Sequence, residues 1–236
     1  MVANEGFWSP NLVGNIHAFI RRGIPKECSA LTHDRAFVRN ISYNLQYLEY
    51  LNFILSETDL HSTVRAMSQK SFVMTGMSVI EAILWFLLKN SDNQHKIEWE
   101  VIREFKGNEF AENGCDYKLS SALLKRAEQS IDREMSLESM IKKAEDKKLL
   151  GVDSQVYRDL NYLRKLRNRI HIHAVQHDKD TDWWSFNTKE VDIMKGVLGS
   201  VLRSDLFHPT KDHDCLLDHL TSKVPIELLI DKTDNH

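Results

Sequence analysis

Apolar residues recur at steps of three and four along most of this chain, the spacing that lines one face of an α-helix. Val38, Ile41, Leu45, Leu48, Leu51 and Leu55 predict a helix over 34–57, after a short helix over 11–22. Val73, Met77, Ile80, Leu84 and Leu87 mark a second long helix over 62–88, apolar nearly all round at its end and therefore expected at the centre of a bundle. A polar break at 90–94 is followed by a predicted shorter helix over 96–105 and a loop over 107–118, with Asn113-Gly114 as its turn signal. Helices are predicted over 119–134 and 137–149, the latter opened by Ser136 and closed by Gly151. Asp153 or Ser154 caps the next helix, whose stripe is Val156, Leu160, Leu163, Leu166 and Ile170. A loop over 178–187 holds Trp183 and Trp184. Asn187 with Glu190 three residues on then forms a capping-box start for a helix bearing Val191, Met194, Leu198 and Val201, which His208-Pro209 ends. A short helix is expected over 212–220, and 225–230 reads equally as strand or helix.

The pattern predicts an all-α fold: a single helical bundle of about seven to nine helices spanning 1–236, with a core over 34–206 and N- and C-terminal extensions. Nine glycines and four prolines in 236 residues agree with helices joined by short loops. Hydrophobic content of 42% and charged content of 28% are those of an ordinary globular protein. A net charge of -3 excludes polyanion binding by bulk charge, so any nucleic-acid contact has to come from a local patch. Cys28, Cys115 and Cys215 are scattered and odd in number, which suits free thiols in a reducing compartment. The first residues lack a basic start with an apolar run, and the apolar window 72–88 is interrupted by Ser78 and Glu81, so a buried core helix and a cytoplasmic protein with no membrane partner are expected.

The most pointed stretch is Leu163-Arg164-Lys165-Leu166-Arg167-Asn168-Arg169-Ile170-His171-Ile172-His173. A guanidinium keeps its charge at any physiological pH, and an imidazole exchanges a proton near neutrality. Together they can hold a phosphodiester and move its proton without a metal, so no cofactor is expected. At about 100° per residue, Arg167 and His171 share a face of an unbroken helix, as do Arg169 and His173, while His173 lies about 240° round from Arg167.

This run resembles the signature of the HEPN superfamily: an arginine, then four to six residues, then a histidine, with a polar residue, most often asparagine, after the arginine. Arg167, Asn168 and His173 fill those positions. The segment Ser78-Val79-Ile80-Glu81-Ala82-Ile83-Leu84 is similar to the central helix of such proteins. The resemblance covers 34–206 and implies a metal-independent endoribonuclease of a toxin–antitoxin, abortive-infection or other antiviral defence system. A ribose 2′-hydroxyl would attack the adjacent phosphate to leave a cyclic phosphate. It implies Arg167 and His173 as catalytic residues, with Asn168 orienting the arginine or the phosphate, and His171 as the alternate histidine. Arg164, Lys165 and Arg169 would bind RNA, within a homodimer formed through the motif helices. A cognate antitoxin or inhibitor protein is a further expected partner. The alternative is a non-catalytic helical module that binds RNA or protein in such a system.

Other positions carry two readings each. Glu81 in an apolar helix either pairs with a residue of the basic helix, Arg167 for instance, or sits half-exposed at the bundle edge. Cys215 and His219 have the spacing of two metal ligands but no matching second pair, so no metal site is expected. Trp183 and Trp184 either stack on unpaired bases or pack their loop onto the bundle. Lys142, Lys143, Lys147 and Lys148, with Glu145 and Asp146 between them, read as a solvated face.

Overall fold

The computed structural model describes residues 8–26, 31–168 and 181–221. Their elements are α1 (Val13–Gly23), α2 (Asp34–Glu57), α3 (Ser62–Asn90), β1 (His95–Glu112), β2 (Cys115–Arg133), α4 (Leu137–Asp146), α5 (Ser154–Arg167), α6 (Asp182–Ser185), α7 (Thr188–Leu202) and α8 (Asp214–Leu217). The chain divides into a helical unit, built from the segments before Asp92 and after Ser136, and a hairpin unit, Asp92–Ser136.

In the helical unit α3 is the axis: α2, α4, α5, α6 and α7 all pack against it. Its side chains Phe72, Val73, Met77, Ile80, Ile83 and Leu84 have essentially no exposure, which is what an all-round apolar helix requires. The same helix is long and apolar enough to cross a membrane, yet 61% of its most apolar window is buried within the protein. The predicted stripes of α2 (Val38, Ile41, Leu45, Leu48, Leu51) and α5 (Val156, Leu160, Leu163, Leu166) are buried, with Leu55 half-buried. Gly76 lets α3 and α7 approach closely, since a Cβ there would lie 2.6 Å from Met194 Cγ.

Two helix ends show how local chemistry sets boundaries. At α7 the capping box forms as predicted. The Asn187 side chain accepts from the Lys189 N–H at 2.9 Å, and Glu190 Oε2 accepts from the Asn187 N–H at 3.1 Å. At the end of α4 the left-handed residue is Lys148 (φ 53°), three positions before the glycine expected to close the helix. The Leu149 N–H donates to the Ala144 carbonyl at 2.9 Å and the Lys148 N–H to the Glu145 carbonyl at 3.0 Å, a Schellman closure that ends α4 at Asp146.

The all-α expectation is corrected by the hairpin unit. The described residues are mostly helical, but they include a two-stranded antiparallel sheet where helices are predicted over 96–105 and 119–134. β1 and β2 pair antiparallel around Asn113 and Gly114, whose φ angles of 52° and 75° are both positive. That is the backbone of a two-residue type I′ turn, which Asn-Gly favours because its twist matches that of the flanking strands. The turn was legible; the strands on either side were misread as helices and loop. Lys96-Ile97-Glu98-Trp99-Glu100-Val101 alternates with the two-residue period of a strand.

Candidate functional site

The basic run begins at the end of α5 and is anchored by α3. Glu81 lies among buried neighbours on α3, including Ile80 and Ile83 on either side in sequence. Such a carboxylate needs a partner, and it has one: Arg167 Nη2 is 2.6 Å from Glu81 Oε2, and Arg167 Nη1 donates to Glu81 Oε1 at 3.1 Å. The hydrogen bond from Nη1 and the ion-pair contact at Nη2 together hold the guanidinium against the carboxylate. Both side chains remain about a third exposed (33% for Arg167, 31% for Glu81), so the pair sits at the surface of the bundle. The bond to Glu81 occupies one edge of a group with five donors, leaving Nε–H and one hydrogen on each terminal nitrogen for another acceptor.

Arg167 is the last residue of α5, and Asn168 is its C-cap, still right-handed (φ -66°, ψ -17°), with its N–H shared between the Arg164 and Leu166 carbonyls. The Asn168 side chain is exposed, as is Lys165. Arg164, one turn back, is tied to Glu138 of α4 at 3.2 Å and is only 14% exposed, with its Nε buried and unpartnered. Its contribution is to join α4 to α5, and little of it is presented to solvent. Arg169, His171 and His173 lie outside the described residues.

Trp183 and Trp184 belong to α6 and are exposed. Lys70 holds α6 through Asp182, with Nζ 2.9 Å from both carboxylate oxygens, and stands over the Phe186 ring at 5.7 Å. The two tryptophans, with Ser62, Arg65 and Asn187, line a cavity of about 360 Å³. Lys70 and Glu81 are about three turns, roughly 16 Å, apart along α3. The tryptophans therefore sit toward the start of α3, away from the Arg167–Glu81 pair. Arg65 is occupied there in closing α2, donating to the Leu55 carbonyl at 2.9 Å and the Thr58 carbonyl at 3.2 Å.

Polar groups that sequence reasoning missed lie on the same helix. Asp159 is 1% exposed on the buried side of α5; its Oδ1 accepts from Gln155 at 2.8 Å, while Oδ2 has no partner. Burial pushes its carboxyl above the ordinary range, against the opposing pull of the Gln155 bond and the Arg158 charge. Its position three after Val156 and four before Leu163 was the available signal. Tyr162 donates through its hydroxyl to Glu190 Oε1 at 2.7 Å, linking α5 to the α7 capping box. In the tail, Cys215 is exposed with its thiol on the Asp212 carbonyl, whereas burial lowers the His219 imidazole to about 4. No group of three or more metal-binding side chains converges among the described residues.

The arrangement offers a surface guanidinium oriented by a carboxylate from the central helix and followed in sequence within six positions by two histidines. Comparison of the chain with protein-family models, curated proteins and solved structures finds no match.

Proposed function

We propose that this protein is a metal-independent endoribonuclease that cleaves RNA by 2′-hydroxyl attack, acting as a homodimer in a toxin or antiviral defence role. The observation that carries the reading is the Arg167–Glu81 ion pair, with its hydrogen bond from Nη1. It holds a guanidinium in one orientation at the head of the Asn168 to His173 run, as a phosphate clamp requires. Arg167 would use its remaining donors on the phosphate oxygens and stabilise the charge that builds in the transition state. His173, or His171 in its place, would take the hydroxyl proton or protonate the leaving oxygen. Asn168 and Lys165, both exposed, would contact the substrate beside it, together with Arg169. Arg164 would act mainly by holding α5 in place through Glu138.

A second reading, a non-catalytic module that binds RNA or protein, is favoured by one feature of the same pair: Glu81 already neutralises the guanidinium. One experiment separates the two. The full chain is incubated with mixed RNA in excess chelator, alongside Arg167→Ala, His173→Ala and His171→Ala. Cleavage that survives chelation and falls by about 10²–10⁴-fold in Arg167→Ala and in one histidine variant supports the nuclease. RNA binding without cleavage in the unsubstituted protein overturns it in favour of the binding module.

A further inference from the structure

One face of α2 gathers positive charge at its start and aromatic rings farther along. Arg35, Arg39, Tyr43, Tyr47 and Tyr50 fall within about 120° of arc, opposite the buried stripe from Val38 to Leu51, and all five are exposed. They span about 22 Å of helix. Between Arg35 and Tyr50 that arc holds no acid. Arg35, Arg39 and Tyr43, with His33 and Asn40, line a concavity of about 530 Å³. The carboxylate at its edge, Asp34, is engaged by Arg21 at 2.8 Å. Lys26, Arg35 and Arg39 have no ion-pair partner among the described residues. His17 of α1 is held below the ordinary imidazole range by burial and by the charges of Arg21, Arg39, Arg35 and Lys26, which places these cations around one spot. Farther along, the rings form a row. Tyr47 and Tyr50 stack at 6.2 Å, and Trp8 lies 5.7 Å from Tyr50 and 4.9 Å from Phe53. Glu49, beside the row, is taken up by the backbone and side-chain N–H groups of Asn11, both at 3.0 Å.

We propose that this face binds a single RNA strand, with phosphates on Lys26, Arg35 and Arg39 and unpaired bases on Tyr43 and Tyr47. Charge and ring chemistry together select that occupant. On a chain of net charge -3, a cluster of unpaired cations is a local field for a polyanion. A duplex offers phosphates but keeps its bases stacked inside, and an acidic peptide offers carboxylates without a row of flat rings. A single strand offers both, and proteins hold one by tracking its backbone with cations and stacking its bases on aromatic side chains. That the strand is RNA rests on the cleavage reading, whereas the contacts rest on α2. The face belongs to a different helix from the Arg167–Glu81 pair, so it holds substrate without taking part in the chemistry.

Fluorescence anisotropy on the full chain tests the proposal, with a labelled single strand of about 12 nucleotides. The strand is 2′-O-methyl RNA, so no 2′-hydroxyl attack consumes it. Arg35→Ala with Arg39→Ala should weaken binding at least about tenfold and make the slope of log K against log salt shallower by about 1.4. Tyr43→Ala and Tyr47→Ala should each weaken binding by about fivefold or more with the slope unchanged. Lys142→Ala with Lys143→Ala, on α4, should change neither. In an Arg167→Ala background the α2 losses should persist. Binding that ignores the α2 changes overturns the proposal, whatever becomes of cleavage. Binding that depends on them while no unmodified RNA is cut overturns the nuclease and supports this face. Losses with the arginines alone, both tyrosines being indifferent, overturn it in favour of a general polyanion or acidic-peptide surface. A second measurement reads access to the face. In a Cys28→Ser, Cys115→Ser, Cys215→Ser background, Tyr43→Cys should react with a maleimide in the free protein and be protected by the RNA strand. An unreactive thiol in the folded, RNA-free chain shows that the chain itself covers the face, and overturns the proposal.

Discussion

Three side chains show how differently one charge behaves in different surroundings. Glu81 is stabilised in an apolar helix by an ion pair and a hydrogen bond with Arg167, and in the proposed nuclease it positions that arginine. Glu81→Gln is expected to slow cleavage about tenfold while tightening RNA binding, because a carboxylate beside the phosphate is removed; steady-state kinetics with separate kcat and KM check the split. A pair one-third exposed contributes little to folding, so the loss of stability should stay below about 1 kcal/mol. Asp159 is the opposite case. With its carboxyl raised by burial, the folded protein binds more protons than the unfolded chain as pH rises above the ordinary aspartate range, so this group's contribution to stability is lost through that window. Asp159→Asn is expected to raise neutral-pH stability by about 1 kcal/mol, with the gain vanishing in acid; thermal melts at a series of pH values measure it. His219 titrates the other way. Its folded value of about 4 lies below the 6.5 of a free imidazole, so the unfolded chain takes up the proton first and stability falls as pH drops from 6.5 to 4. The full difference is on the order of 3 kcal/mol, and His219→Phe should flatten that part of the stability–pH curve.

Among the elements, the helices of the bundle core were legible because a buried face imposes its 3.6-residue period on the sequence, as in α2, α3 and α5. The α7 cap was legible because Asn187 and Glu190 act within one turn of each other. The Glu81–Arg167 pair was half legible: an acid in an apolar helix signals a partner, but only the packing of α5 on α3 selects which one. What failed had no such local constraint. Among the described side chains of the hairpin unit few are buried, so the two-residue period shows only in short stretches such as Lys96 to Val101 and is broken where the ladder slips. Its charges, spaced among apolar residues, passed for amphipathic helices although Asn113-Gly114 marked the turn. Lys148 in the left-handed region was illegible for a related reason, since the glycine that advertised the helix end stands three residues later. Close approaches are equally hidden. A Cβ at Gly23 would lie 2.6 Å from the ring of Phe207, which is fully buried against Phe19. Gly23→Ala is therefore expected to destabilise by about 1–3 kcal/mol although alanine favours a helix, and chemical denaturation would reveal it.

For the molecule as a whole, a net charge of -3 means that the proposed nuclease would have to draw RNA to a patch against a weakly repelling background. With Arg164 committed to Glu138, the cations left for phosphate in the proposed site are Arg167, Lys165 and Arg169. Three contacts to a single strand give a slope of log K against log salt of roughly -2, measurable by fluorescence anisotropy. The hairpin sets a different boundary on behaviour at high concentration. Two strands of 18 and 19 residues, with apolar side chains in water, are in principle a seed for fibrils. Yet the ladder slips at Ile97/Trp99, at Val101/Arg103 and again at Lys106/Glu109, so no long, flat edge is offered for another strand to zip onto. The irregularities that make this ribbon hard to read are thus what should keep a concentrated solution of the protein clear and free of thioflavin-positive aggregates.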